Sequence, residues 1–159
     1  MTRALRIGVD ARELQGRPTG TGRYLRSLLR HWTRSDPGPS TGDRFFAYLN
    51  GSLADDPALR HERIAVRAVG DPGVRGLVWQ ERALPPAARQ DGLDVFFSPA
   101  YTCPLGLDVP RVTAVHDLSF FSYPSDFTLA DALRRRVTVA ASVRASRAVL
   151  ARGRGQRAL

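Results

Sequence analysis

Apolar residues along the chain recur at two alternating periods. "ALRIGVDA" is a short apolar run between polar neighbours and predicts a first strand near residues 5–10. Beyond a glycine-threonine stretch, Tyr24, Leu25, Leu28, Leu29 and Trp32 return at three-to-four spacing, with Arg23, Arg26 and Arg30 between them. That spacing predicts one apolar stripe on a helix, "GRYLRSLLRHW", stopped by the breaker cluster "SDPGP". "RFFAYLN" and "HERIAVRAV" predict strands near 44–49 and 64–69, and "SLADDPALR" between them has room for no more than a turn or two of helix. "RGLVWQERAL" suits a helix that Pro85 and Pro86 should end.

"LDVFFSPA" and "RVTAVHDLS" are largely apolar throughout, as strands covered on both faces require, and place strands near 94–98 and 112–116. A helix from about Leu129 to Ser146 would set Leu129, Leu133, Val137 and Ala140 on one face, and "AVLA" is a last strand candidate at 148–151. Strands alternating with helices predict an α/β fold, a Rossmann-like open parallel sheet with helices on both faces. In such sheets ligands bind outside the carboxyl ends of the strands. That rule selects Asp10 and the 16–22 loop after the first strand, Ser98 and Tyr101 after "DVFF", and His116 with Asp117 after "RVTAV".

Each of these has a functional and a structural reading. Glycines let a backbone approach a ligand and the N–H groups opening a helix attract anions, so the loop suits a phosphate; it equally suits a flexible turn before a helix. It fits neither common phosphate motif. A P-loop needs a lysine where Arg23 stands, and a dinucleotide fingerprint has its glycines directly after the strand, whereas "ARELQGRPT" intervenes here. His116 could donate a hydrogen bond or shuttle a proton, or be a strand-end histidine bonded to a backbone carbonyl. Asp117 suits a turn or cap better than a catalytic acid, and Asp10 could orient the glycine loop or satisfy local N–H groups. No metal-ligand spacing is present, no motif calls for a cofactor, and a single cysteine, Cys103, allows no internal disulfide.

Charge changes the picture at one end only. The 159 residues carry a net charge of +9, and from Asp131 onward eight arginines stand against that one acid. All 24 basic residues are arginine, so arginine identity says little about recognition chemistry. Nucleic-acid binding is the weaker use of this basicity, since no interleaved aromatics accompany it; Arg134, Arg135 and Arg136 offer weak contact with an anionic membrane surface. The N-terminus lacks the apolar core of a signal peptide, and no run approaches the roughly 18 apolar residues of a membrane span. The expectation is a cytoplasmic protein, peripheral to the inner face of the membrane if the arginines engage it.

Three separated stretches, "RIGVDARELQGRPTGTGRYLRSLLRHW", "DVFFSPAYTCPLGLDVPRVTAVHDLSFFSYPSDF" and "LRRRVTVAASVRASRAVL", together resemble in order and spacing the N-terminal half of GT-B glycosyltransferases of family 4. The resemblance covers about residues 5–150. It implies a retaining, nucleotide-sugar-dependent enzyme in which two Rossmann-like domains face each other across a cleft, this one mainly on the acceptor side. It implies that Gly20, Thr21 and Gly22 lie near the donor's diphosphate and that His116 lies beside the transferred sugar; Asp10, Ser98, Tyr101 and Asp117 from the strand-end rule, and Tyr24 on the helix after the loop, are the candidate substrate-binding residues beside them. The implied partners are a nucleotide-sugar donor, held only with a second domain, and a sugar or lipid-linked acceptor. That second domain, with its paired-glutamate motif, is not among these residues, so the sequence predicts a fragment inactive alone, residues 1–150 forming an incomplete domain and 151–159 a disordered Gly/Arg tail. A non-catalytic domain completed by a partner stays open beside it.

Overall fold

The computed structural model describes residues 3–34, 42–52, 54–71, 73–74, 76–116 and 129–151. Its strands are β1 (Arg6–Asp10), β2 (Arg44–Asn50), β3 (Ile64–Val69), β4 (Val95–Ser98), β5 (Arg111–Val115) and β6 (Ala148–Ala151). They form one all-parallel sheet in the order β3-β2-β1-β4-β5-β6. The fold is therefore α/β and Rossmann-like, with its topological switch point between β1 and β4. Asp117 and the 152–159 tail lie outside the described residues.

Side chains of alternate parity divide the core in two. Val9, Phe45, Ala47 and Phe97 face helix α1 (Gly20–Arg34), which lays Leu25 and Leu29 on them, both fully buried. Phe46, Tyr48 and Phe96 face the opposite way, onto Trp79, Leu84 and Ala88. A β-carbon at Gly8 would lie 2.5 Å from Leu93 Cδ1 and 2.6 Å from Phe96 Cδ2, so β1 has a glycine where the second core closes over it. The β2–β3 connection holds a 3-10 turn, Pro57–Leu59, capped by Asp56, whose Oδ1 accepts from Ala58 N–H at 2.9 Å and whose Oδ2 accepts from Arg26 Nε at 2.5 Å.

Two expectations about helices need correction. The segment after β3 does not stop at Pro85. It runs from α2 (Gly76–Val78) through a π-helical stretch, Trp79–Ala83, into α3 (Leu84–Gln90), with the prolines in the first turn of α3. Proline breaks a helix interior because it lacks an N–H and clashes with the carbonyl four residues back. Where the wide π turn hands over to α geometry, those positions behave as a helix start, and proline is accepted there. The second correction concerns α4 (Leu129–Ala145). Leu133 and Val137 point outward, 61% and 59% exposed, while Val139 and Ser142 are buried. Periodicity favours the larger apolar residues, yet hydroxyls can be buried at low cost when they bond back to the helix. Ser142 Oγ donates to Thr138 O at 2.9 Å and also receives the Cys103 N–H at 3.1 Å.

Tyr48 offers a test of the second core. Its hydroxyl donates to Asp91 Oδ2 at 2.7 Å, and burial, reinforced by that bond and the Asp91 charge, pushes the phenol well above its ordinary value. A group whose folded pKa is raised gives stability that is present below its unfolded pKa and lost as pH rises through the folded one. Urea unfolding should therefore show stability falling above about pH 10, the unfolded tyrosine value. Tyr48→Phe should flatten that fall; an unchanged slope would mean that Tyr48 is not its source. Tyr24, raised in the same direction by burial, leaves a residual slope.

Candidate functional site

The loop after β1 is built to start a helix at a fixed place. Ala11 N–H bonds to Tyr48 O at 2.9 Å, a 3-10 turn covers Arg12–Leu14, and Gly16 turns the chain with φ of 75°. Thr19 then caps α1: its Oγ1 accepts the Gly22 N–H at 2.9 Å and donates to Glu13 Oε2 at 2.8 Å. The helix thus begins two residues before the "GRYLRSLLRHW" stretch. A β-carbon at Gly22 would lie 2.4 Å from the Glu13 carbonyl oxygen, so this glycine sets how closely α1 packs on the turn. Gly22 N–H is taken by the cap, and Gly20 and Thr21, in the first turn, line the cleft. The first turn of α1 contains no acid of its own, and the Glu13 carboxylate bonded to Thr19 is the negative charge beside it.

That cleft has a volume of about 550 Å³ and is walled by Gly20, Thr21, Tyr24, Tyr101 and His116 together with the ends of β5 and β6. His116 Nε2 lies 2.7 Å from Pro99 O. A carbonyl only accepts, so Nε2 carries the proton and Nδ1 is the acceptor of the neutral ring. Tyr24 meets the imidazole edge-on at 4.7 Å between centroids and Tyr101 does so at 6.0 Å. Burial raises the Tyr24 phenol, which keeps it a neutral donor.

Tyr101 adopts a left-handed backbone, φ of 57°, and is the one non-glycine residue with positive φ among those described. Such a conformation costs on the order of 1–3 kcal/mol and persists where the surroundings fix it. Here Tyr101 N–H is held by Ala114 O at 2.9 Å.

Thr21 and Tyr101 also wall a second lobe of about 510 Å³, with Arg12, Glu13, Gln80, Thr102, Arg134, Arg135 and Thr138. Asp10 does not line either lobe. It is 5% exposed, its Oδ1 accepts from Arg12 Nε at 2.9 Å and its Oδ2 from Arg12 Nη2 at 2.6 Å. Arg12 also donates to Gln80 Oε1 at 3.0 Å and to Gly76 O at 2.9 Å, and stacks 4.6 Å over Trp79. Burial lowers the Arg12 pKa, but the charge and hydrogen bond of Asp10, with Glu13, outweigh it and leave it raised. Ser98 is fully buried, with no hydrogen-bond partner for Oγ, and stands behind the cleft rather than in it.

The structure thus gathers Gly20, Thr21, Tyr24, Tyr101 and His116, and separates Asp10, Gly22 and Ser98 from them as supports. Sequence reasoning missed the second lobe. Gln80 reaches it through the π-helical stretch, which carries no legible signal; Arg12, two residues after the strand-end Asp10, had a local one. The fold and cleft define a Rossmann-like α/β protein with a crevice at the carboxyl ends of its strands. The chain matches no family model and no curated protein.

Proposed function

We propose that this chain is the acceptor-side domain of a nucleotide-sugar-dependent glycosyltransferase, its cleft receiving the sugar nucleotide's diphosphate at the N-terminus of α1. One observation supports this above others: Gly20 and Thr21, which open α1, line the same crevice as His116 at the carboxyl edge of a parallel sheet. Backbone N–H groups there offset negative charge growing on a departing diphosphate. With Nε2–H committed to Pro99 O, His116 serves through Nδ1, accepting from a sugar hydroxyl.

Transfer needs donor and acceptor held in register, and half a cleft does not provide that. In open water each N–H bond nets only about 1 kcal/mol. Titration calorimetry of the 159-residue chain with nucleotide diphosphate sugars should therefore give millimolar binding at best, about −4 kcal/mol, and no transfer. Gly20→Pro is the sharp variant. Proline fits the first helical position, an extended cap residue tolerates it as successor, and no heavy atom lies within 4 Å of a β-carbon there. It removes one donor and should weaken binding about fivefold, the equivalent of about 1 kcal/mol. Unchanged affinity would move the ligand away from α1. If a second half supplied in trans restores transfer, His116→Ala should abolish it; full turnover would return His116 to a structural role.

A further inference from the structure

We propose that the outward face of α4 docks on an anionic phospholipid membrane. Leu133 and Val137, one helical turn apart, are the two most exposed large apolar side chains among the described residues. Arg134 and Arg144 are exposed beside them, and Arg135 and Arg136 belong to the same helix. The acid of this helix, Asp131, is hydrogen-bonded by Arg134 at 3.2 Å, leaving cationic charge to dominate the surface. An apolar stripe flanked by arginines on a surface helix matches the boundary between headgroups and acyl chains: the side chains enter while the guanidinium groups meet phosphates. A nucleic acid would use the arginines but has no place for Leu133 and Val137.

The inward side of α4 is committed elsewhere. Val139 and Ser142 pack into the protein, Arg135 and Thr138 wall the second lobe of the cleft, and Arg134, exposed at the border of the two sides, lines that lobe as well. A membrane on the outward face therefore leaves the cleft open beside the headgroup layer. No helix of the described residues is long and apolar enough to cross a membrane, so contact through α4 is by lying on the surface. This inference goes beyond the proposed transferase and does not need it, because vesicle binding is read without any nucleotide sugar.

Co-sedimentation of the 159-residue chain with phosphatidylglycerol–phosphatidylcholine vesicles is the test. Binding should be at least about tenfold stronger than to phosphatidylcholine alone and should weaken with salt. Leu133→Ser with Val137→Ser, both surface changes, should weaken it about tenfold, and Arg144→Gln a few-fold. As a measurement that does not depend on losing binding, Leu133→Trp should shift its fluorescence to the blue on anionic vesicles. Binding that the serine pair leaves unchanged, a tryptophan that stays water-exposed, or retention on duplex DNA without vesicle binding would each overturn the proposal.

Discussion

Replacing Asp10 by alanine is expected to cost the protein about 3 kcal/mol, a large share of the 5–15 kcal/mol that holds a domain folded. The reason is the orphan it leaves. Arg12 has a side chain 22% exposed, and with Asp10 gone its charge stays pressed against Trp79 and Gln80 with carbonyl hydrogen-bond partners and only the more distant charge of Glu13. Removing one member of a buried pair costs about 3–5 kcal/mol, and the partial exposure of Arg12 places this case at the lower end. Removing both should be milder: Asp10→Ala with Arg12→Met has no stranded charge and should recover much of the loss. Urea midpoints of the single and double variants decide it. A single variant within about 1 kcal/mol of the parent would show that Asp10 and Arg12 do not bind β1 to the π-helical stretch as described.

Gly22→Ala is the second large effect, and it connects packing to the cleft. The new methyl group would meet a backbone oxygen 2.4 Å away, and neither the Glu13 carbonyl nor the turn carrying it can rotate aside as a side chain would. Helix α1 must move off the turn, at a cost of about 1–3 kcal/mol in the manner of an overpacked core. The displaced helix takes Gly20, Thr21 and Tyr24 with it. Thermal unfolding should show the destabilisation, and calorimetry should show the proposed nucleotide-sugar binding lost rather than merely weakened. Gly20→Ala is the control: nothing stands within 4 Å of its β-carbon, so stability should change little. Equal behaviour of the two variants would remove the close approach from the account.

These two positions also mark what the sequence made legible. All six strands were readable from short apolar runs with breakers between them; coverage on both faces accounts for the apolar runs of β1, β2, β4 and β5, whereas β6 is apolar yet exposed along its length. Parallel pairing followed from alternation with helices. The cleft was readable in outline, since the rule placing ligands at strand ends selects Tyr101 and His116 without any contact information. Three things were not readable. The π-helical stretch depends on hydrogen-bond spacing that leaves no composition signal, so Pro85 and Pro86 read as a stop. The buried face of α4 uses Ser142, whose hydroxyl is satisfied within its own helix, and periodicity cannot foresee that. The left-handed backbone at Tyr101 is imposed by Ala114 O, an acceptor on a neighbouring strand.

The strand order has a consequence for how the site comes into being during synthesis. None of the five pairings in this sheet joins strands through a hairpin, and Arg6 N–H finds Asp94 Oδ2 across 88 residues of sequence. Closing loops of that size must precede the contacts that reward it, which makes such topologies slow to fold. The cleft stands at the end of this process: its walls come from α1, from the turn holding Tyr101, from the end of β5 with His116, and from the end of β6. A nascent chain that has released α1 but not β5 exposes the apolar underside of that helix, and the cleft is complete only once β6 (Ala148–Ala151) has been made and joined to the sheet.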